Sequence, residues 1–512
     1  MEVSSTIKPR YYILAYFLLL LLVVSDRILI LHHFAFQYTD HDQTLMWYSA
    51  KEFLHNRFHE PCFYGQNYNT MIEGLFAVPF IAVGLPYPYA LPLITSFLAL
   101  LPYLLISGIC LRLKKYINAL LILLIPLMLP IAYGMITSLS RGFVTGIAIA
   151  SVACVCCFFS RKRFAWILFG MLGTLALWVN GNSSLIVFPT AVFLFLKHGK
   201  NILFYFLFIA GILPTAIWIY YAHMFYVLHP GYIFYNPIDY SFSFKLLTES
   251  SKKLDLFFND VIPLFWKNGW LILPILSIQS LILLLQKNAK GAAGLLGGLI
   301  LIIISLGISK VHEGNLNIFY PLSRMYLGIP VLSALFIPQI QIRYNSFWWI
   351  VLLNVGIAVF VFKNRHPDQS IRQKLSIEND VMSFYKVSEV DESCMQLREI
   401  AQLHNVSLII SLGKLYDEMF GCTCLYDDFP ETLVNYHERR TWRFEEEEQA
   451  VRTNILLVGN YLTENSISLL NHNPNVQKLN SPSWYNVYLI SNNKLPTLKL
   501  LQTFEIGFRK YK

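Results

Sequence analysis

Tyr38-Thr39-Asp40-His41-Asp42-Gln43-Thr44-Leu45-Met46-Trp47-Tyr48-Ser49-Ala50 opens a polar stretch that continues to Glu73 and follows directly on the first long apolar run, Tyr11–Leu31. The stretch carries five acids (Asp40, Asp42, Glu52, Glu60 and Glu73), and the rest of residues 1–362 holds only seven more. Carboxylates set against a membrane face are costly unless they are solvated, paired or put to use. Their concentration beside a span marks this stretch as the candidate reactive region.

The surrounding chain is that of a membrane protein. It has 512 residues, 55% of them hydrophobic and 14% charged, which excludes an ordinary soluble domain. Residues 1–362 carry 23 Lys+Arg against 12 Asp+Glu, and residues 363–512 carry 17 against 19. The basic excess therefore belongs to the apolar part and is no sign of nucleic-acid binding. The run Tyr11–Leu31 is too long for a signal-peptide core and lacks a small-x-small cleavage site, so it reads as a retained span.

Further apolar runs cover 89–111, 117–136, 142–159, 164–179, 183–196, 201–222, 270–286, 291–308, 325–341 and 347–362, which predicts about eleven spans. Residues 70–84 are too short and contain Glu73 and Pro79, so an interfacial helix is expected there. With the N-terminus inside, the inner loops collect thirteen cations, among them Lys114, Lys115, Arg161, Lys197, Lys290 and Arg343, with Glu2 the only acid. The acids then face outward, as does everything after the last span.

The predicted fold is thus mainly α: a polytopic helical membrane domain over residues 1–362, with a first extracytoplasmic loop at 32–88 bearing interfacial helices. Residues 363–512 change character. Val406–Leu412, Asn454–Gly459 and Asn486–Ser491 read as buried strands between polar helical stretches, which predicts a small extracytoplasmic α/β domain.

Two carboxylates at i and i+2 have three readings: a general base, a divalent-metal pair, or a helix start. Asp42 precedes the amphipathic segment Gln43–Leu54, and Asp is a preferred N-cap, so capping is the ordinary explanation. The position directly after the first span favours a chemical role.

The arrangement resembles the GT-C membrane glycosyltransferases, which include the protein O-mannosyltransferases and aminoarabinose transferases. A short tail, one span and an outward Asp-acid/amide pair opening a helix are their signature, matched here by Asp42-Gln43 with Ala50 eight residues on. Asp40 is an additional upstream acid. A second family element, before an interfacial helix, corresponds to Gln66–Glu73, which includes Tyr68 and Glu73. The start of a late span is similar in Phe319-Tyr-Pro-Leu-Ser-Arg324-Met-Tyr-Leu-Gly-Ile-Pro330.

The resemblance implies transfer of a sugar from a polyprenyl-phosphate carrier to a lipid, glycan or protein acceptor, with inversion, in a bacterial inner membrane. It implies Asp42 as base, with Asp40 as the fallback. Cations on the outer face must meet the departing phosphate; Arg324, Arg141, Lys310 and His312 are the candidates, Arg324 first because its fork suits phosphate. Its ordinary reading is an interfacial anchor. Glu73 and Tyr68 join the substrate-binding set.

No cofactor is expected: an ion shared by Asp40 and Asp42 lacks a third ligand, and His32, His33, His41, His55 and His59 lack tetrahedral spacing. Most aromatics of Tyr220–Trp270 read as an interfacial belt. A disulfide is expected among Cys394, Cys422 and Cys424. Tyr436–Arg443 reads as a charged helix surface. A transporter would place charges or repeats at mid-membrane, and a polysaccharide polymerase or ligase would rest on cations in a large late loop.

Overall fold

The computed structural model of the chain describes residues 8–159, 162–233, 240–342, 346–377, 384–412, 419–434, 442–459, 462–480, 486–492 and 494–507. Glu2, Arg161, Arg343 and most of the Tyr436–Arg443 motif lie outside them. In chain order the first helices are α1 (Pro9–Ile30), α2 (His41–Leu54), α3 (Ile72–Ala82), α4 (Tyr87–Arg112), α5 (Tyr116–Met128), α6 (Ile131–Ile136), α7 (Thr145–Phe159), α8 (Phe164–Val179) and α9 (Ser184–His198). They are followed by α10 (Ile202–Leu228), α11 (Phe244–Ser251), α12 (Leu254–Phe258), α13 (Ile272–Leu285), α14 (Ala289–Ser305), α15 (Ile329–Phe336), α16 (Ser346–Lys363) and α17 (Pro367–Leu375).

A helix stands at each of the eleven expected spans, but their lengths differ from expectation. Among the described residues, three are long and apolar enough to cross a membrane alone: Pro9–Ala35 (α1 with a π-helical turn), α4 and α10. The run expected at 117–136 breaks at Leu129-Pro130, where proline has no N–H to continue the ladder. The span expected at 325–341 is reduced to the 8 residues of α15, between 3-10 turns at Leu322–Tyr326 and Ile337–Gln339. Residues 70–84 form the short helix α3, as their length and Pro79 predict. The chain is an integral membrane protein with a helical apolar body.

That body falls in the first of two compact units: Met1–Phe36, Pro92–Tyr220 and Ile238–Ser383. Within it α7 packs on α8, α9 on α14, α13 on α14, and α1 on α5 and α16. Gly170 of α8 and Gly211 of α10 let two helix backbones touch, since a Cβ at either would run into the facing carbonyl. Three of the charges buried here are met by close partners. Lys363 Nζ lies 2.8 Å from Asp26 Oδ2, Asn364 donates to Asp26 Oδ1 (3.0 Å), and Arg27 donates to the Gly134 carbonyl and the Thr137 hydroxyl, both at 3.0 Å.

The second unit gathers Gln37–Leu91, Tyr221–Pro237 and Phe384–Lys512. β1 (Tyr38–Thr39) pairs antiparallel with β2 (Tyr385–Lys386), which is followed by α18 (Val387–Leu403). β3 (Leu408–Leu412), β4 (Glu431–Leu433), β5 (Asn454–Gly459), β6 (Val476–Leu479) and β7 (Val487–Ser491) form a mixed sheet in the order β4-β3-β5-β7-β6. The three strands expected from sequence are β3, β5 and β7. β3 is buried throughout, as a strand covered on both faces must be. Leu408, Ile410, Ile455, Leu457 and Tyr488 share one core with Leu470, Leu501 and Phe504. Cys394 and Cys422 form a disulfide, while Cys424 stays free and buried.

The first loop folds with the C-terminal segment because aromatics interleave. Tyr48 stacks between Phe420 and Trp442, both with ring centroids 6.2 Å away, and His59 lies on Trp442 at 3.4 Å. Arg443 Nη1 donates to the Tyr48 hydroxyl (3.2 Å) and pairs with Glu431.

The buried pair Asp26–Lys363 yields a stability test. Lys363→Met strands a buried carboxylate and is expected to cost about 3–5 kcal/mol, whereas Asp26→Leu/Lys363→Met together recover most of it. Thermal unfolding of the purified single and double variants in detergent measures both.

Candidate active site

In the second unit, the polar stretch after α1 is organised by the start of α2. Asp40 is the N-cap: its backbone is extended, its Oδ1 accepts from the Gln43 N–H at 3.0 Å, and its side chain is buried. The cap was expected at Asp42, and it falls two residues earlier. Asp42 sits instead in the first turn, half-buried, with its Oδ1 3.4 Å from His41 Nε2. A carboxylate there is favoured by the helix dipole and keeps partial access to solvent.

Glu73 occupies the first turn of α3 and is fully buried, while Tyr68 is half-buried in the loop before it. α3 packs along α2, where Gly74 meets Ser49 Oγ and the Met46 carbonyl so closely that a Cβ would clash. Lys51 ties α2 to the Thr423 carbonyl. The stretch is therefore held from both sides rather than draped as a loop.

Sequence reasoning passed over a buried carboxyl beside it. Glu60 is almost fully buried; the Tyr226 hydroxyl donates to its Oε2 at 3.3 Å and in turn accepts from the Cys62 N–H at 3.2 Å. Burial pushes the Glu60 carboxyl well above the usual carboxylate range, against its hydrogen bonds from Gly65 and Tyr226. Glu52 ends on the other side. Burial raises it, but His59 at 2.9 Å and Arg57 at 3.3 Å outweigh that and hold it below its ordinary value. Tyr226, expected in the interfacial belt, is buried on Glu60; Phe234 and Tyr235 lie outside the described residues. No composition signal separates Glu60 from its neighbours.

The cations lie in the first unit. Arg141 and Arg324 are 4% and 3% exposed, and both face Tyr320: the guanidinium carbon of Arg324 is 3.9 Å from the ring centroid and that of Arg141 is 5.5 Å. Arg324 donates to the carbonyls of Pro321 (3.1 Å) and Glu313, and Arg141 donates to the Phe319 carbonyl. Lys310 joins through the Glu313 carboxylate. His312 turns elsewhere, towards the Leu306 carbonyl (2.9 Å) and Ser250 (3.3 Å).

Backbone turns build this cluster. Asn317 Oδ1 accepts from the Phe319 N–H, and Asn315 and Tyr320 are bonded across the loop. The Asn180-Gly181-Asn182 turn secures the other side: Asn180 donates to Gly142 O, and Asn182 donates to Phe143 O and Arg324 O. Among the described residues, Arg141 and Arg324 thus meet on Tyr320, and Lys310 is tied to Glu313, whose carbonyl Arg324 also reaches. Tyr320, which joins the two arginines, was not singled out; its only sequence signal is an aromatic four residues before Arg324.

Among the described residues no three His, Cys, Asp or Glu side chains converge in a way that would hold a metal ion. The histidines of the first loop have partners of their own, His33 with Asp368, His55 with the Lys51 carbonyl and His59 with Glu52.

A helical membrane body, an acid-bearing helix after the first span, buried arginines before a late one and a C-terminal sheet together define a GT-C-type fold. The chain is similar to the crystal structure of ArnT from Cupriavidus metallidurans in the apo state, with a TM-score of 0.55, 10% identity, and coverage of 92% of this chain and 97% of that one. It is likewise similar to ArnT from the same organism bound to undecaprenyl phosphate, with a TM-score of 0.54, 11% identity and the same 92% and 97% coverage. At that identity the likeness establishes the fold. No family model matches the sequence, and no curated protein matches it.

Glu60 makes stability depend on pH. An acid kept protonated in the folded chain stabilises it fully below the unfolded value near 4.5, and that contribution is lost as pH rises towards the folded pKa. The apparent Tm is therefore expected to fall between pH 5 and pH 8, and Glu60→Gln to flatten that slope.

Proposed function

We propose that the chain is a membrane glycosyltransferase that takes a sugar from a polyprenyl-phosphate-linked donor and passes it to an acceptor hydroxyl on the extracytoplasmic face. The observation that carries this reading is the buried arginine pair on Tyr320. Two guanidiniums drawn to one ring present two planar donor forks on one side of the loop, a geometry that suits the several charged oxygens of a phosphate. The fold is one in which a similar protein was crystallised with undecaprenyl phosphate. A phosphate on a long apolar tail suits both the charge and the surroundings.

The chemistry follows as a direct displacement. The acceptor oxygen forms a bond to the anomeric carbon as the bond from that carbon to the phosphate oxygen breaks, inverting the centre. Asp42 takes the hydroxyl proton, Asp40 fixes the helix start that presents it, and Glu73 and Tyr68 contact the sugar. The charge released onto the departing polyprenyl phosphate is met by Arg324 and Arg141, with Lys310 adding charge; His312, held by Leu306 and Ser250, is the weakest of the four candidates. The Cys394–Cys422 disulfide fits an oxidising outer compartment for the second unit, with the N-terminus cytoplasmic in a bacterial inner membrane.

Sugar transfer from a lipid-phosphate donor tests the roles. Asp42→Asn is expected to lower kcat by about 10²–10⁴-fold with the donor affinity retained. Arg324→Met is expected to lower it by about 10²–10³-fold, with Arg324→Lys only partly restoring it. Normal turnover in Asp42→Asn removes Asp42 as the base.

A further inference from the structure

A second concentration of positive charge lies at the other ends of the helices that meet the arginine cluster, with Lys197 from α9, Lys115 from the start of α5 and Lys290 from α14. α7 starts four residues after Arg141, α9 starts beside Asn182, and α15 starts shortly after Arg324. At their C-terminal ends Phe158, Lys197 and Gln339 line a cavity of about 560 Å³, a volume in the range of ligand pockets. The 15 residues of α7 separate its two ends by about 22 Å, so this cavity is no extension of the arginine cluster.

Its wall has two chemistries. Phe158, Phe159, Phe193 and Leu335 make an apolar side. Lys115, Lys197 and Lys290 make a cationic rim, and no acid is among the described residues that line it. Lys115 is anchored, donating to the Pro338 carbonyl at 2.6 Å, and Lys197 reaches over the Phe193 ring at 5.5 Å. Lys290 is exposed. Gln339 adds an amide: its Oε1 accepts from Asn288 at 3.1 Å, which leaves its Nε2 buried with no acceptor among the described residues. A buried donor of this kind is costly unless an acceptor reaches it.

We propose that this cavity binds an anionic glycerophospholipid, its phosphate held by Lys197, Lys290 and the Gln339 amide and its chain laid on the phenylalanine wall. The charge without counter-charge selects an anion, and the aromatic side selects one that carries an apolar tail, which a free phosphate lacks. Basic pockets between the ends of membrane helices recognise lipid headgroups in this way. The ligand differs from the donor in class and lies at the opposite helix ends, so the site stands whether or not the transferase reading does.

Thermal unfolding of the purified full chain in detergent tests this, titrated separately with short-chain phosphatidylglycerol, phosphatidylcholine and inorganic phosphate. Phosphatidylglycerol is expected to raise the apparent Tm saturably, and the other two to leave it unchanged. Lys197→Gln/Lys290→Gln is expected to raise the half-saturating concentration roughly thirtyfold, on the order of fivefold per lysine, while Lys197→Arg/Lys290→Arg retains the response. Both lysines are exposed, so the folded state tolerates either change. An unchanged phosphatidylglycerol titration in the Gln variant, or an equal response to phosphatidylcholine or to inorganic phosphate, overturns the proposal.

Discussion

A guanidinium taken out of water into an apolar helical body has to be met by something, and the first unit meets two of them with one tyrosine ring. Arg141 and Arg324, 183 positions apart in the chain, approach Tyr320 and donate to backbone carbonyls around it. That arrangement fixes much around it. The loop before α15 must turn its carbonyls inward, which its Asn-capped turns do, and the Asn180-Gly181-Asn182 turn must brace the opposite side. The shortness of α15 follows, because residues up to Tyr326 are used in the turn rather than in a helix.

Elsewhere the chain handles buried charge differently, and the contrast separates structure from chemistry. Asp26 and Lys363 neutralise each other, and Arg27 is absorbed by a carbonyl and a hydroxyl. Glu60 is met by the Tyr226 hydroxyl, and burial raises its carboxyl above the usual range. Each of these is a finished arrangement. The two arginines meet on one aromatic ring, and Asp42 sits in the first turn of α2 while its neighbour Asp40 does the capping.

Periodicity and length made the body and the sheet legible. Long apolar runs located a helix at each expected span of the body, and continuous apolar segments located β3, β5 and β7. Helix lengths were not legible, because Pro130 and Pro338 sit inside runs that remain apolar on both sides. The site was half legible. Acids beside a span and an arginine before a late helix are visible as residue types, but two acids two positions apart look alike until a backbone decides which one caps. Tyr320 and Glu60 were invisible for a different reason: their importance comes from partners far away in the chain, as does the β1–β2 pairing that joins Tyr38 to Lys386. Sequence spacing carries no trace of such meetings.

On the proposed function, the arginine pair receives a lipid-linked phosphate. A cryo-electron microscopy map of the chain with undecaprenyl phosphate tests it most directly. The account predicts phosphate oxygens at about 2.7–2.9 Å from the guanidinium nitrogens of Arg324 and Arg141. A phosphate bound elsewhere, with both arginines still held on Tyr320 and their carbonyls, would contradict it.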